Sequence, residues 1–126
     1  MGNNVLYIED NQDNMILVKR VLESHGYILL PAAKGMDGIA IAEKEDIDLI
    51  LLDINLPDID GYEVARRLRK SSKIGLAYVP IIAITANALK GDAQKALSAG
   101  CDVYMSKPIN VRELWARVEG FLQVHE

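Results

Sequence analysis

Five polar side chains that are suited to phosphoryl or metal chemistry stand just after short apolar runs. Glu9 and Asp10 follow the first strong run, and Asp53, Thr85 and Lys107 follow three later ones. If the runs are parallel strands of one sheet, their carboxyl ends form the edge at which such sheets bind ligands. We therefore expect three carboxylates, a hydroxyl and an ammonium group to converge, although they are scattered along the sequence.

The three acids of this set predict a divalent metal site. Two unit charges about 4 Å apart repel by roughly 4 kcal/mol at an effective dielectric constant near 20. Three ionised carboxylates therefore need a cation or a raised pKa. Oxygen ligands without Cys or a suitable His select a hard ion, and a few carboxylates with waters and a phosphate oxygen suit Mg²⁺. We predict that Glu9, Asp10 and Asp53 bind magnesium.

One of the acids is also a candidate nucleophile. A carboxylate beside Mg²⁺ can attack phosphorus and form an aspartyl phosphate if cations neutralise the transferring oxygens. Asp53 is the predicted nucleophile, because the adjacent pair Glu9 and Asp10 is suited to holding the metal directly or through water. Lys107 would supply a cation and Thr85 a hydroxyl donor. Each residue alone has a structural explanation, such as helix capping for Asp53, but all five together favour chemistry.

The apolar runs predict the elements that position these side chains. Strong runs occupy 5–8 (VLYI), 49–52 (LILL) and 79–84 (VPIIAI), and weaker ones occupy 27–30 (YILL) and 101–105 (CDVYM). Runs without polar alternation are typical of parallel strands covered on both faces. Stretches with helical spacing separate them, such as Met15, Val18 and Leu22 before a helix-ending Gly26. The sequence therefore predicts an α/β fold, a doubly wound sheet of five parallel strands with five helices.

Composition narrows the class of protein. A chain of 126 residues suits one domain, residues 1–126, and half of its residues are apolar. The net charge of −4 argues against direct binding to nucleic acid or an anionic membrane. A single cysteine, Cys101, fits a reducing compartment, and the chain shows neither a signal peptide nor a membrane span. We expect a cytoplasmic protein.

Four sequence fragments resemble the receiver domain of two-component response regulators. They are IED at 8–10, LLDINLPDIDG at 51–61, ITANA at 84–88 and YMSKPI at 104–109, in order and across essentially the whole chain. The likeness is greatest to single-domain receivers of the cell-cycle type and to receivers attached to hybrid kinases. It implies a flavodoxin-like sheet with strand order 2-1-3-4-5.

The resemblance also implies a role for each site residue. Asp53 would be the phosphoacceptor, Thr85 and Lys107 would contact the phosphoryl group, and Mg²⁺ would be held by Glu9, Asp10, Asp53 and the backbone carbonyl of Asn55. The donor would be a phosphohistidine on a histidine kinase or a histidine phosphotransfer protein. Such a domain catalyses its own phosphorylation and dephosphorylation and is not a conventional enzyme.

Further implications concern the response to phosphorylation. Thr85 and Tyr104 match the family's switch residues, and Asn55, Ala86 and Asn87 match positions that tune the rate of hydrolysis. The bond between Lys107 and Pro108 is expected to be cis. Output would be a contact with a downstream protein on the face formed by the fourth helix, fifth strand and fifth helix, while the oligomeric state stays open.

Two other functions fit parts of the pattern. A magnesium-dependent phosphatase with an aspartate nucleophile carries a second acid two residues after it, where this chain has Asn55. A protein-binding module that works without phosphate would be expected to lose its acidic cluster, which is intact. A basic cluster of Arg66, Arg67, Arg69 and Lys70 is interpreted as a solvated helix face.

Overall fold

The computed structural model describes residues 3–86 and 91–122, and the fold within this part of the chain alternates strands and helices. The strands are β1 Asn4–Ile8, β2 Ile28–Ala32, β3 Leu49–Asp53, β4 Ile81–Thr85 and β5 Val103–Ser106. The helices are α1 Gln12–Ser24, α2 Gly35–Lys44, α3 Gly61–Arg69, α4 Asp92–Ala99 and α5 Val111–Leu122, and a short 3₁₀ helix, Ile74–Ala77, precedes β4.

The strands form one parallel sheet in the order β2-β1-β3-β4-β5. This confirms the predicted fold class and the strand order implied by the resemblance. The chain passes from β1 outward to β2 and then returns to β3 on the other side of β1, so the direction of winding reverses between β1 and β3. A crevice at the carboxyl ends of these two strands is the expected ligand site of such a sheet.

Each strand sends alternate side chains into two separate cores, because successive residues of a strand point to opposite faces. Val5 and Tyr7 face the layer of α1 and α5, whereas Leu6 and Ile8 face the layer of α2, α3 and α4. Both sets are fully buried, which explains why the runs show no polar alternation. In β2 the run continues through Pro31, which an edge strand tolerates because one side has no partner.

The beginning and end of α1 follow local signals. Asn11 is the N-cap, and its side-chain oxygen accepts a hydrogen bond from the Asn14 N–H at 2.9 Å. The carboxylate of Asp10 is therefore not needed as the cap. At the other end, Gly26 adopts the left-handed conformation with φ of 88°, as predicted. No helix within residues 3–86 and 91–122 has the length and apolar character of a membrane span.

The structure corrects one part of the interpretation of the basic cluster. Arg66 and Arg67 lie on the exposed surface of α3 and pair with Glu63 of the same helix. Arg69 instead turns inward, and its side chain is 19% exposed. Its guanidinium donates to backbone oxygens of Leu76, Val79 and Gly100 at 2.7–3.0 Å and to the Asp102 carboxylate at 3.0 Å.

Removing the Arg69 side chain should destabilise the protein far more than removing that of its neighbour Arg66. We expect Arg69→Ala to lower the free energy of unfolding by about 2–3 kcal/mol, because hydrogen bonds from a charged donor to four acceptors are lost. Arg66→Ala is the control and should have a much smaller effect. Urea denaturation followed by circular dichroism measures both, and equal losses in the two variants would contradict this assignment.

Candidate functional site

Four of the predicted site residues lie at the carboxyl edge of the sheet. Asp53 is the last residue of β3, Thr85 is the last of β4, and Glu9 and Lys107 follow β1 and β5. Backbone hydrogen bonds hold the two residues that lie outside strands, because the Glu9 N–H donates to Ala32 O and the Lys107 N–H to Thr85 O, each at 2.8 Å. The register of the sheet thus brings together segments that are distant in sequence.

The three acids form a cluster. Carboxylate oxygens of Glu9, Asp10 and Asp53 lie within 4.8 Å of one another. Glu9 and Asp53 are buried, at 2% and 1% exposure, whereas Asp10 is exposed. Glu9 and Asp53 belong to the strand faces that point toward α1 and α5, and Asp10 lies at the rim. The cluster is therefore built into the fold on one side and open to solvent on the other.

Lys107 balances part of this charge. Its ammonium nitrogen lies 3.3 Å from Glu9 Oε1 and 3.3 Å from Asp53 Oδ2. Burial acts to lower the pKa of Lys107, but the two carboxylates outweigh burial and raise the pKa above its ordinary value. The lysine is consequently a fixed positive charge that is shared between both buried acids.

The two buried acids have pKa values that are displaced in opposite directions. Burial and the neighbouring Glu9 raise the pKa of Asp53 from 3.8 to about 7, although the Asn55 N–H and Lys107 act against this shift. Burial also acts to raise the pKa of Glu9, but contacts with Asp53, the Asn11 N–H and Lys107 lower it overall. Without a bound cation, the pair therefore holds a proton preferentially on Asp53.

Additional residues that the sequence analysis missed surround the Glu9 carboxylate. The Tyr7 hydroxyl donates to Oε1 at 3.1 Å and the Asn14 side-chain amide donates to Oε1 at 3.4 Å. The Asn11 N–H donates to Oε2 at 3.1 Å. Alternation along β1 places Tyr7 and Glu9 on the same face of the sheet. Their i, i+2 spacing is therefore the signal in the sequence from which this contact could have been predicted.

The loop after β3 approaches the cluster closely. The Asn55 N–H donates to Asp53 Oδ1 at 3.1 Å. A Cβ atom on Gly61 would lie 2.7 Å from the carbonyl oxygen of Asp53, so only glycine allows α3 to begin so near the strand end. Asp58 in this loop was also missed; its carboxylate accepts from the N–H groups of Gly35 and Met36 at 2.8 and 2.9 Å and so ties the loop to the start of α2.

The predicted switch residues lie on the other face of the sheet. Thr85 is buried at the end of β4, one residue beyond the partner of Asp53 in the β3 ladder. Tyr104 of β5 is half-buried, pairs with Ala83 and packs against the core on the side of α2, α3 and α4. Thr85 and Ala83 share that face by alternation. The bond between Lys107 and Pro108 is cis, as expected.

Two of the three predicted rate-tuning residues stand at the rim of the site. Asn55 and Ala86 are exposed beside the site. The prediction for Asn87 concerns a residue outside the described part of the chain.

The donor set fits a small hard cation. Three carboxylates face one ammonium group, so the cluster retains negative charge when the acids are ionised, and its ligand atoms are oxygens, the preference of Mg²⁺. A cation bound here would also relieve the repulsion that raises the pKa of Asp53.

The fold and this site define a class of doubly wound α/β domain with an acidic cluster at the carboxyl edge of its sheet, and comparison with known proteins identifies the family. The sequence model of the response regulator receiver domain matches residues 5–119. The chain therefore belongs to the response regulator receiver domain family of two-component signalling, whose members are signalling modules.

Relatives resemble the chain over nearly its full length. The polar-differentiation response regulator DivK of Brucella ovis is 36% identical over 122 residues, which cover 97% of this chain and 98% of DivK. The crystal structure of the receiver domain of the sensor histidine kinase PA1611 from Pseudomonas aeruginosa has a magnesium ion coordinated in its active site cleft. It is 36% identical with a TM-score of 0.87, over 98% of this chain and 99% of that one.

A third similar structure comes from a complex. A chain in the co-crystal structure of the Saccharomyces cerevisiae histidine phosphotransfer protein Ypd1 and the receiver domain of its downstream response regulator Ssk1 is 30% identical. Its TM-score is 0.89, and the match covers 98% of this chain and 91% of that one.

The raised pKa of Asp53 predicts how the stability of the metal-free protein depends on pH. Because the folded state binds the Asp53 proton more tightly than the unfolded state, stability should fall as pH rises from about 4 to about 7. Asp53→Asn removes this contribution. At pH 8 and without metal, the variant should be more stable than the wild type by about 1–2 kcal/mol, and the difference should shrink toward pH 4.

Chemical denaturation in EDTA across this pH range measures the effect, and saturating Mg²⁺ provides the control. Magnesium should stabilise the wild type at pH 8 more than Asp53→Asn, because at a given concentration a ligand that binds only the folded state stabilises it more when it binds more tightly. A variant that is less stable than the wild type at pH 8 in EDTA would contradict the prediction.

Proposed function

We propose that this receiver domain accepts a phosphoryl group on Asp53 from a phosphohistidine, in a reaction that requires Mg²⁺. The observation that carries this proposal is the buried Asp53 carboxylate, which lies within 4.8 Å of the Glu9 and Asp10 oxygens and 3.3 Å from the Lys107 ammonium. An isolated buried carboxylate would be a poor nucleophile because it would stay protonated. Here the neighbouring ligand atoms can hold a cation that keeps it ionised.

The chemical step is an in-line transfer. An oxygen of ionised Asp53 attacks phosphorus while the bond from phosphorus to the imidazole nitrogen of the donor breaks, and that nitrogen keeps the electron pair. Charge accumulates on the transferring oxygens. Lys107 is placed to neutralise part of it, and the Thr85 hydroxyl at the end of β4 serves as a hydrogen-bond donor. Hydrolysis of the same acyl phosphate would end the signal, and the domain would catalyse both steps on itself.

Glu9, Asp10, Asp53 and the backbone carbonyl of Asn55 are the proposed ligands for Mg²⁺. When bound, the ion would supply positive charge for the developing negative charge of the transition state. The magnesium in the cleft of the PA1611 receiver domain supports this proposal for a chain that is 36% identical.

The response would pass from Asp53 to the opposite face of the sheet. A phosphoryl group brings up to about two negative charges and three acceptor oxygens, which would draw Thr85 and Lys107 toward it. Thr85 and Tyr104 lie on one face of neighbouring strands, so movement of Thr85 would change the space available to Tyr104. Asn55, Ala86 and Asn87 are the proposed determinants of the hydrolysis rate.

We propose a phosphodonor partner from exposed apolar residues near the site and from the comparisons. Ile16 and Leu17 are exposed on α1, close to where the chain leaves Glu9, and offer apolar contact for a histidine kinase or a phosphotransfer protein. The Ypd1–Ssk1 complex supports such a partner.

For output, α5 and β5 bound a shallow depression of about 250 Å³ lined by Val103, Ala116, Arg117, Gly120 and Phe121.

This depression belongs to the proposed docking face for a downstream protein, formed by α4, β5 and α5.

We further propose that residues 1–126 form a single receiver domain that works in the cytoplasm. The buried, unpaired thiol of Cys101 is compatible with a reducing compartment.

Incubation with acetyl phosphate and Mg²⁺, followed by intact mass spectrometry, tests the phosphoacceptor. We expect one stoichiometric phosphoryl adduct that is stable to acid and labile to base, that requires Mg²⁺, and that is absent in Asp53→Asn. Lys107→Ala should slow its formation by about 100-fold or more, since it removes the charge beside the transferring oxygens.

The same experiment separates the alternatives. Continuous turnover of varied phosphate esters would favour the phosphatase, and the absence of an adduct with several donors would favour the binding module.

A second prediction concerns the switch. Thr85→Ala retains Asp53 and the acidic cluster, so it should still form the adduct, but phosphorylation should no longer perturb β5 and α5. Backbone amide chemical shifts before and after phosphorylation measure this. Thr85→Ser keeps the hydroxyl and should retain the response, whereas a full response in Thr85→Ala would refute the coupling.

A further inference from the structure

Tyr7 combines complete burial with a polar group aimed at the site. Its side chain is fully buried in the core beneath α1 and α5, where a phenylalanine would fill the same volume. A buried phenol requires a hydrogen-bond partner, and the Tyr7 hydroxyl finds it in Glu9 Oε1 at 3.1 Å. The hydroxyl therefore reaches the acidic cluster from the interior of the protein, on the side away from solvent.

The donors to Glu9 are divided between its two oxygens. Oε1 accepts from Tyr7, faces the Lys107 ammonium at 3.3 Å, and has a longer contact of 3.4 Å with the Asn14 amide. Oε2 accepts from the Asn11 N–H at 3.1 Å. The last torsion of a glutamate is broad and intrinsically soft. Donors fixed to a strand and to a helix start therefore determine the orientation of this carboxylate.

The Tyr7 contact also bears on Lys107. The ammonium lies at the same distance, 3.3 Å, from Glu9 and from Asp53. The Tyr7 hydroxyl donates to Glu9 Oε1 and so offsets part of the negative charge that Glu9 presents to Lys107. The ammonium can then remain shared between the two acids. Loss of the hydroxyl would strengthen the attraction of Lys107 to Glu9 and would free the Glu9 carboxylate to rotate.

We propose that Tyr7 is a positioning residue that fixes the Glu9 carboxylate and so prepares the acidic cluster for a divalent cation. The inference rests on the proposed function and goes beyond it by assigning a role to a core residue. The geometry links the role to the length of the side chain at position 9, because an aspartate there would be shorter by one methylene and would withdraw its carboxylate from the Tyr7 hydroxyl.

The test measures Mg²⁺ affinity calorimetrically, without any phosphodonor. Tyr7→Phe should weaken Mg²⁺ binding by about 10-fold, the size of effect expected for a residue that orients a metal ligand. Tyr27→Phe is the matched control, because it removes a hydroxyl from another buried tyrosine of the same core, and it should leave the affinity unchanged. Asn14→Ala, on the more open side of the site, should give a smaller loss in the same direction.

A double-mutant comparison distinguishes positioning from packing. In a Glu9→Asp background, Tyr7→Phe should change Mg²⁺ affinity by less than about 2-fold, because the contact is already absent. The same non-additivity of Tyr7→Phe and Glu9→Asp should appear in the free energies of unfolding of the metal-free proteins. That measurement does not depend on activity. An equal loss of affinity in both backgrounds would show that Tyr7 acts through packing alone and would overturn the inference.

The outcomes also separate this inference from the proposed function. Unchanged affinity in folded Tyr7→Phe, with normal phosphorylation of the wild type, would overturn the inference alone. A wild type that binds Mg²⁺ and shows the Tyr7 effect but forms no adduct would overturn the proposed phosphotransfer alone. A wild type that binds no Mg²⁺ would overturn both.

Discussion

Two carboxylates, those of Glu9 and Asp53, lie side by side with almost no exposure to solvent, and the surrounding structure offsets the cost of that arrangement. Desolvation and mutual repulsion both oppose ionisation of the pair. Lys107 is shared equally between them, Asn55 and Asn11 supply backbone N–H donors, and Tyr7 supplies a hydroxyl from the core. The compensation is incomplete, since the pKa of Asp53 stays raised, so added positive charge at this site would favour ionisation of the pair.

The fold determines how these two carboxylates are placed relative to each other. Reversal of the winding direction between β1 and β3 opens the crevice in which Glu9 and Asp53 meet, and the parallel register fixes their relative height. Gly61 allows α3 to begin against the end of β3, and Asp58 ties the loop to α2. Local order at the site is therefore a consequence of contacts made by the sheet and its loops.

The acidic residues and the predicted switch residues lie on opposite faces of the sheet. Glu9 and Asp53 point toward the layer of α1 and α5, whereas Thr85 and Tyr104 belong to the face covered by α2, α3 and α4. In the proposed response, a change of charge at the rim would affect packing on the opposite face through Thr85, which stands at the same edge as Asp53. Such a signal needs two packings of similar free energy that phosphate biases through different contacts.

The sequence predicted the strands, the burial of β1, β3 and β4 on both faces and the convergence of Glu9, Asp10, Asp53 and Lys107, because each depends on short apolar runs and on what ends them. It did not reveal that Arg69 turns inward to four acceptors, that Asp58 holds α2, or that Tyr7 supports Glu9. Those contacts join residues whose local patterns look ordinary, such as a basic helix face or a strand aromatic. They became visible in the folded arrangement, because a hydrogen bond between distant segments depends on the packing that brings donor and acceptor within about 3 Å.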